Sequence, residues 1–134
     1  MSGRIPKKVV VSVIIAFAAI WTYLKVYYPL DGLTGVVFGT LFHTVDTTEY
    51  ASGYCDKAFR KLNRGMSSSE VRALLGAPLS KWDLASRREL AGDEFAEMEA
   101  WVYSRSKNDG DYRIRTVHFN SGKVTRVYSE YYVD

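Results

Sequence analysis

The feature that most constrains this chain is an apolar run near its N-terminus, residues 9–30, in which Lys25 is the only charged residue. About 20 apolar residues in an α-helix cross the ~30 Å hydrocarbon core of a bilayer, so the run predicts one transmembrane helix. Lys25 lies near the end of the run, where its long side chain reaches the headgroups. Aromatic residues cluster at the same end, as they do at membrane–water interfaces: Trp21, Tyr23, Tyr27 and Tyr28.

Charges on the two sides of the run predict its orientation. Arg4, Lys7 and Lys8 precede it, and the first charge beyond it is Asp31. The positive-inside rule therefore places the basic tail, residues 1–8, in the cytoplasm and the rest of the chain outside it.

A cleaved signal peptide is the alternative interpretation of the same run. Residues 16–18, with the sequence Ala-Phe-Ala, are typical of a cleavage site that follows a basic segment. Cleavage there would leave an unusually short apolar region and a new N-terminus with exposed apolar residues. We therefore favour an uncleaved anchor.

The net charge of +3 arises at the membrane end of the chain. From Asp46 onward, fourteen Lys and Arg residues are balanced by fourteen Asp and Glu residues, so the domain beyond the anchor is neutral. Basic residues beside a transmembrane helix set its topology and contact anionic lipid. We expect a lipid bilayer, and no nucleic acid, among the partners.

A single cysteine, Cys55, excludes an internal disulfide. It lies at helical spacing from apolar residues that would share one helix face: Ala51, Ala58, Phe59 and Leu62. This spacing predicts a buried thiol in a hydrophobic core.

The segment that follows the anchor, residues 31–46, is also apolar. Pro29 and Gly32 are expected to break the helix. Residues 33–45 carry no charge and are too few to span a membrane, so we expect them to lie on the membrane surface or against a partner subunit. The candidate partner-binding residues here are Val37, Phe38, Leu41, Phe42 and His43. His43 could ligate a tetrapyrrole or a metal, but nothing nearby completes such a site, so we expect an interfacial imidazole.

Residues 47–134 are expected to form one domain. The sequence of its first half predicts two helices. Thr47 or Thr48 can cap a helix that runs to Leu62. Ser67 and Glu70 form a capping box for a short second helix. Gly76 and Pro78 then end that helix.

The second half of the domain has the alternation and turns of β-strands. The sequence predicts strands at 79–84, 98–105, 111–119 and 123–133, with a tight hairpin turn at 120–122. Imperfect alternation near 117–119 and 124–127 predicts a β-bulge. We therefore expect an α+β domain with two helices on a three- or four-stranded antiparallel sheet.

The spacing of several of these residues resembles the SmpA/OmlA family, also called BamE-like. The matching residues are Leu62-x-x-Gly65-Met66-Ser67-x-x-Glu70-Val71-x-x-Leu74-Leu75-Gly76-x-Pro78, Trp101-x-Tyr103 and Val117-x-Phe119-x-x-Gly122-Lys123-Val124-x-x-Val127. The resemblance implies an α-α-β-β-β fold, a periplasmic setting, hence a bacterial inner-membrane anchor, and no enzymatic activity. Typical members are outer-membrane lipoproteins of a complex that inserts β-barrel proteins, whereas this chain has no lipobox cysteine.

The sequence shows no set of residues with the types and spacing of a catalytic site. His43 and His118 fall in different segments, and Ser67 is explained by capping. The acidic residues between 93 and 99 are typical of a solvated loop. We expect no catalytic residue, cofactor, metal or small-molecule substrate.

The leading functional hypothesis is an accessory subunit of a larger membrane complex, with respiratory and photosynthetic electron-transfer assemblies among the candidate hosts. Anchoring raises the effective concentration of the domain at its partner. Tyrosine is enriched at interfaces, so the C-terminal tyrosines are further candidate partner-binding residues: Tyr128, Tyr131 and Tyr132. The alternatives are a BamE-like envelope assembly factor and a lipid or peptidoglycan contact module.

Overall fold

The computed structural model describes residues 6–41, 45–83 and 98–134. Its elements in chain order are α1 (Lys7–Leu41), β1 (Thr48–Tyr50), α2 (Asp56–Phe59), α3 (Ser68–Leu75), β2 (Ser80–Asp83), β3 (Met98–Val102), β4 (Ser104–Ser106), β5 (Tyr112–Asn120) and β6 (Lys123–Tyr132). A four-stranded antiparallel sheet has the order β2-β3-β5-β6, and β1 and β4 form a separate antiparallel pair. The predicted α+β class is confirmed.

The N-terminal part of α1, Lys7–Val26, is long and apolar enough to cross a membrane, and none of its most apolar stretch is buried inside the chain. The expected break in the helix is at Gly32, whose φ of 65° and ψ of −168° are accessible to glycine, whereas Pro29 lies inside the helix. A second helical stretch continues to Leu41. The predicted surface segment is therefore helical over most of its length.

The predicted first helix, residues 47–62, is wrong. Thr48, Glu49 and Tyr50 instead pair with β4 of the second sheet, and this non-local partner outweighs the local capping signal. Gly53, at φ 85°, then turns the chain, and α2 is a single turn. Cys55 lies at the N-cap of α2 and is exposed, so the buried-thiol prediction is also wrong.

The predicted capping box of α3 is confirmed. Ser67 Oγ accepts a hydrogen bond from the Glu70 N–H at 3.3 Å, and Glu70 accepts one from the Ser67 N–H at 2.7 Å. Gly76 ends the helix with φ 76°, where a Cβ would come within 2.9 Å of the Ser52 carbonyl oxygen. Val71 and Leu75 on the inner face of α3 are fully buried.

The core lies on one face of the four-stranded sheet. Sheet residues Trp101, Val117, Phe119 and Val124 share a buried cluster with the helical residues Phe59, Val71 and Leu75. The other residues of the family-like pattern occupy turns and boundaries: Gly65 and Gly122 have positive φ, Met66 packs against the core, and Pro78 precedes β2.

The β5–β6 hairpin closes through the two-residue loop Ser121-Gly122, with φ of 48° and 72°. The predicted bulge is confirmed, because His118 pairs with Arg126 and Phe119 pairs with Val124. The predicted strand 98–105 instead divides at Tyr103 into β3 and β4, which belong to different sheets.

Replacing Ser67 with alanine should lower the free energy of unfolding by about 1 kcal/mol, because α3 loses its N-cap. Hydrogen bonds from Ser67 hold the pKa of Glu70 below its ordinary value of 4.5. The stabilisation that the ionised Glu70 carboxylate gains from these hydrogen bonds is therefore complete above pH 4.5. It is lost as the pH falls through the lowered pKa. Urea unfolding of the full chain in mild detergent measures both effects. An equal loss in the exposed-turn control Ser52→Ala would contradict the assignment.

Candidate functional site

The candidate site is the junction where α1 meets the sheet, formed by Asp31, Gly35, Arg113, Arg115 and Tyr131. Asp31 immediately precedes the bend in α1 and is 3% exposed. Its carboxylate accepts a hydrogen bond from Arg115 Nη2 at 2.5 Å, and Arg113 Nε lies 3.3 Å from its second oxygen. Arg115 is 0% exposed, so this is an ion pair removed from solvent.

Two more aspartates extend the junction's charge network to other elements. Arg115 Nε donates to Asp56 of α2 at 3.2 Å, and Arg113 Nε lies 3.5 Å from Asp46. Arg115 Nη1 donates to the Ile114 carbonyl at 2.9 Å. The network therefore joins α1, α2 and β5.

The two arginines converge because of strand geometry. Residues 113, 115 and 117 alternate with their neighbours on β5, so both guanidinium groups share the core face with Val117. Arg115 pairs across the sheet with Ser129, and Arg113 pairs with Tyr131. The small serine leaves room for the arginine side chain.

Burial opposes the charged form of Arg115, but Asp31 and then Asp56 favour it more strongly, so its pKa lies above the ordinary value. The Tyr54 hydroxyl donates to Asp56 at 2.7 Å, and burial together with this bond raises the pKa of Tyr54. Arg115 is therefore charged and the Tyr54 hydroxyl is neutral at neutral pH. A buried ion pair with additional hydrogen bonds fixes a geometry more than it adds stability.

Gly35 lets α1 approach β6 closely. A Cβ atom at this position would lie 2.3 Å from Asp31 Cβ and 3.0 Å from Tyr131 Cβ. Tyr131 is 2% exposed beneath the helix. Any larger residue at position 35 must displace the helix or the strand.

The structure separates the three C-terminal tyrosines that the sequence grouped as partner-binding. Tyr131 faces α1 of its own chain, whereas Tyr128 and Tyr132 alternate to the opposite face of β6. Tyr128 is half-buried and donates to Glu130, and the exposed Tyr132 contacts Tyr112 with ring centroids 5.7 Å apart.

The remaining candidate residues lie along α1. Trp21 and Tyr28 are exposed, Tyr23 is half-buried, and Lys25 Nζ lies 5.4 Å from the centre of the Trp21 ring. Val37 and Phe38 are half-buried in the second helical stretch. Leu41 ends the helix and Tyr27 lies within it; Phe42 and His43 lie outside the described residues.

Sequence reasoning did not identify the junction. It counted Asp31 only as a topological charge and gave Arg113 and Arg115 no role. The available signal was a pair of arginines at alternate positions of an apolar strand, on the same face as Val117. Arginines on a buried face require a buried acidic partner. Among the described residues, no group of three His, Cys, Asp or Glu residues is arranged to hold a metal ion.

No protein-family model matches this chain, and neither the curated proteins nor the solved structures include a significant match to it.

Replacing Asp31 with asparagine should lower the free energy of unfolding by about 3–5 kcal/mol, because Arg115 stays buried without a full counter-charge. Urea unfolding of the full chain in mild detergent measures the loss. The matched control is Glu49→Gln, which breaks the exposed pair between Glu49 and Arg105 (2.7 Å) and should change stability little. Equal effects of the two substitutions would contradict a special role for the junction.

Gly35→Ala should destabilise the docking of α1 on β6 by about 1–3 kcal/mol, through overpacking against Asp31 and Tyr131. Amide hydrogen exchange of residues 33–41 and of β6 should accelerate. Gly39→Ala is the control, because no atom lies within 4 Å of its added Cβ. Alanine at 39 should slow exchange slightly through its higher helix propensity. Unchanged exchange in Gly35→Ala would refute the close contact.

Proposed function

We propose that this chain is a non-catalytic accessory subunit of an integral membrane protein complex in the bacterial inner membrane. Its basic tail lies in the cytoplasm, α1 crosses the bilayer, and the α+β domain occupies the periplasm. The proposal rests on the junction, where a buried ion pair attaches the C-terminal end of the membrane helix to the domain. The anchor and the domain therefore present their surfaces in one fixed arrangement.

A tether alone does not need this arrangement. A flexible linker keeps a domain near a membrane without defining its orientation. Here Asp31 follows directly on the apolar run and is already buried against β5. Fixing the orientation lowers the entropy cost of binding a partner whose own surface is fixed by the membrane.

The apolar surface of α1 supports a protein neighbour in the bilayer. One side of the helix forms a shallow concave face with small residues at Ala18, Ala19 and Thr22. Small residues allow close helix–helix approach in membranes, where van der Waals packing drives association. Thr22 Oγ1 donates to the Ala18 carbonyl at 2.8 Å, so the Thr22 hydroxyl is paired within its own helix.

The second candidate function is an envelope assembly factor of the SmpA/OmlA (BamE-like) type. Its support is the residue pattern, whose members hold structural positions: the capping box at Ser67 and Glu70, the helix end at Gly76 and the hairpin turn at Gly122. The additional β1–β4 pair and the protein anchor favour the accessory subunit. Co-purification with outer-membrane assembly proteins would instead favour the second candidate.

The test of the proposed function is a matched pair of substitutions on α1. Ala18→Leu fills the concave face, whereas Val13→Leu enlarges an exposed side chain outside that face, about 140° away around the helix. Each tagged chain is purified in mild detergent from cells that naturally make it, and associated proteins are quantified by mass spectrometry. We expect Ala18→Leu to reduce the associated complex about tenfold, as a loss of ~1.4 kcal/mol would, and Val13→Leu to leave it unchanged.

A monodisperse monomer without associated protein would overturn the proposal. Orientation is tested separately with C-terminal fusions. An alkaline phosphatase fusion should be active and a green fluorescent protein fusion dark, and the reverse result would invert the topology.

A further inference from the structure

The face of the four-stranded sheet opposite α2 and α3 carries a groove of about 560 Å³, which we call the open-face groove. Its floor is small and mostly apolar, formed by Ala100 and Val102 of β3 and by Ile114 and Thr116 of β5. These residues alternate with the core residues on the same strands, so the groove and the core lie on opposite sides of one sheet. The size falls within the range of ligand-binding clefts.

The strand register gives the groove its walls. Trp82 of β2 lies in one cross-strand row with Ala100, and Tyr128 of β6 lies in the next row with Thr116. β2 and β6 are the edges of the sheet, so one large aromatic side chain stands at each edge above a floor of small residues. Trp82 is 47% exposed. The result is a trough that runs along the strands between the two edges of the sheet.

Among the described residues, the charged side chains that line the groove are all basic. His118 and Arg126 are cross-strand neighbours at one end, and Arg105 lies in the lining of the groove but is paired with Glu49. Among the described residues, no aspartate or glutamate lines the groove and no carboxylate forms an ion pair with Arg126. Arg126 instead lies 5.4 Å from the centre of the Tyr128 ring.

We propose that the open-face groove binds an apolar segment of the partner protein, with an acidic side chain of that segment paired to Arg126. The inference rests on the proposed function and names the surface that the domain contributes to it. Aromatic walls and a free arginine are the residue types enriched at the energetic centres of protein interfaces.

A polypeptide fits the groove better than a lipid. α1 meets the sheet on its core face, so the groove opens on the side away from the membrane anchor. Among the described residues the trough is open along one side, which leaves the outer surface of its occupant in water, a poor environment for an acyl chain. A protein segment has its own polar face for that purpose.

The test places a photo-crosslinking amino acid at position 80, where Ser80 is an exposed member of the groove lining, and irradiates native membranes. Mass spectrometry of the crosslinked peptide should identify an apolar partner segment that contains Asp or Glu. Arg126→Gln should lower the crosslinking yield about tenfold, because the segment loses its counter-charge. Lys107→Gln, an equal charge loss at an exposed residue outside the groove, should leave the yield unchanged.

Crosslinks from position 80 to lipid, to a second copy of the chain or to a segment without acidic residues would overturn the inference. A crosslinking yield that Arg126→Gln leaves unchanged would also overturn it. A crosslinker at position 18 in α1 separates the two proposals. Partner captured from position 18 with none from position 80 refutes the groove and leaves the accessory role intact. No protein captured from either position refutes both.

Discussion

The structure depends on one buried ion pair, Asp31 with Arg115. Removing two charges from water costs several kcal/mol for each ion, and only close pairing with further hydrogen bonds offsets that cost. Asp56 and the Ile114 carbonyl accept such bonds from Arg115, and Arg113 adds a second ionic contact to Asp31. Because the pair is favourable only with these contacts, it favours one position of α1 on the sheet over others. The N-terminal helix and the domain are thereby held in one arrangement.

The core face of the sheet is consequently divided into two regions. Around Val117 and Phe119 the face forms an apolar core with α2 and α3. Around Arg113 and Arg115 it is charged and contacts α1. A fully apolar face at the second region would leave a surface open to nonspecific apolar contacts. The charges there instead favour a helix that brings its own carboxylate.

The parts of the fold set by local rules could be predicted from the sequence, and the parts set by distant partners could not. The α3 capping box, the 121–122 hairpin and the bulge each depend on neighbouring residues. The N-terminal strand β1 was mistaken for a helix because its partner β4 lies far along the chain. The junction joins residues 84 positions apart, and the groove exists only once the strand register is known. The apolar run predicted the long N-terminal helix and the break at Gly32, but not the second helical stretch that follows the break.

The bend at Gly32 has a consequence for biogenesis. Asp31 is synthesised early and β5 is synthesised late, so the Asp31 carboxylate lacks both arginines until the chain is nearly complete. A proteolytic fragment that begins after the bend would retain both guanidinium groups without their principal counter-ion. Truncation at either end therefore leaves a charge that the complete fold buries in a pair.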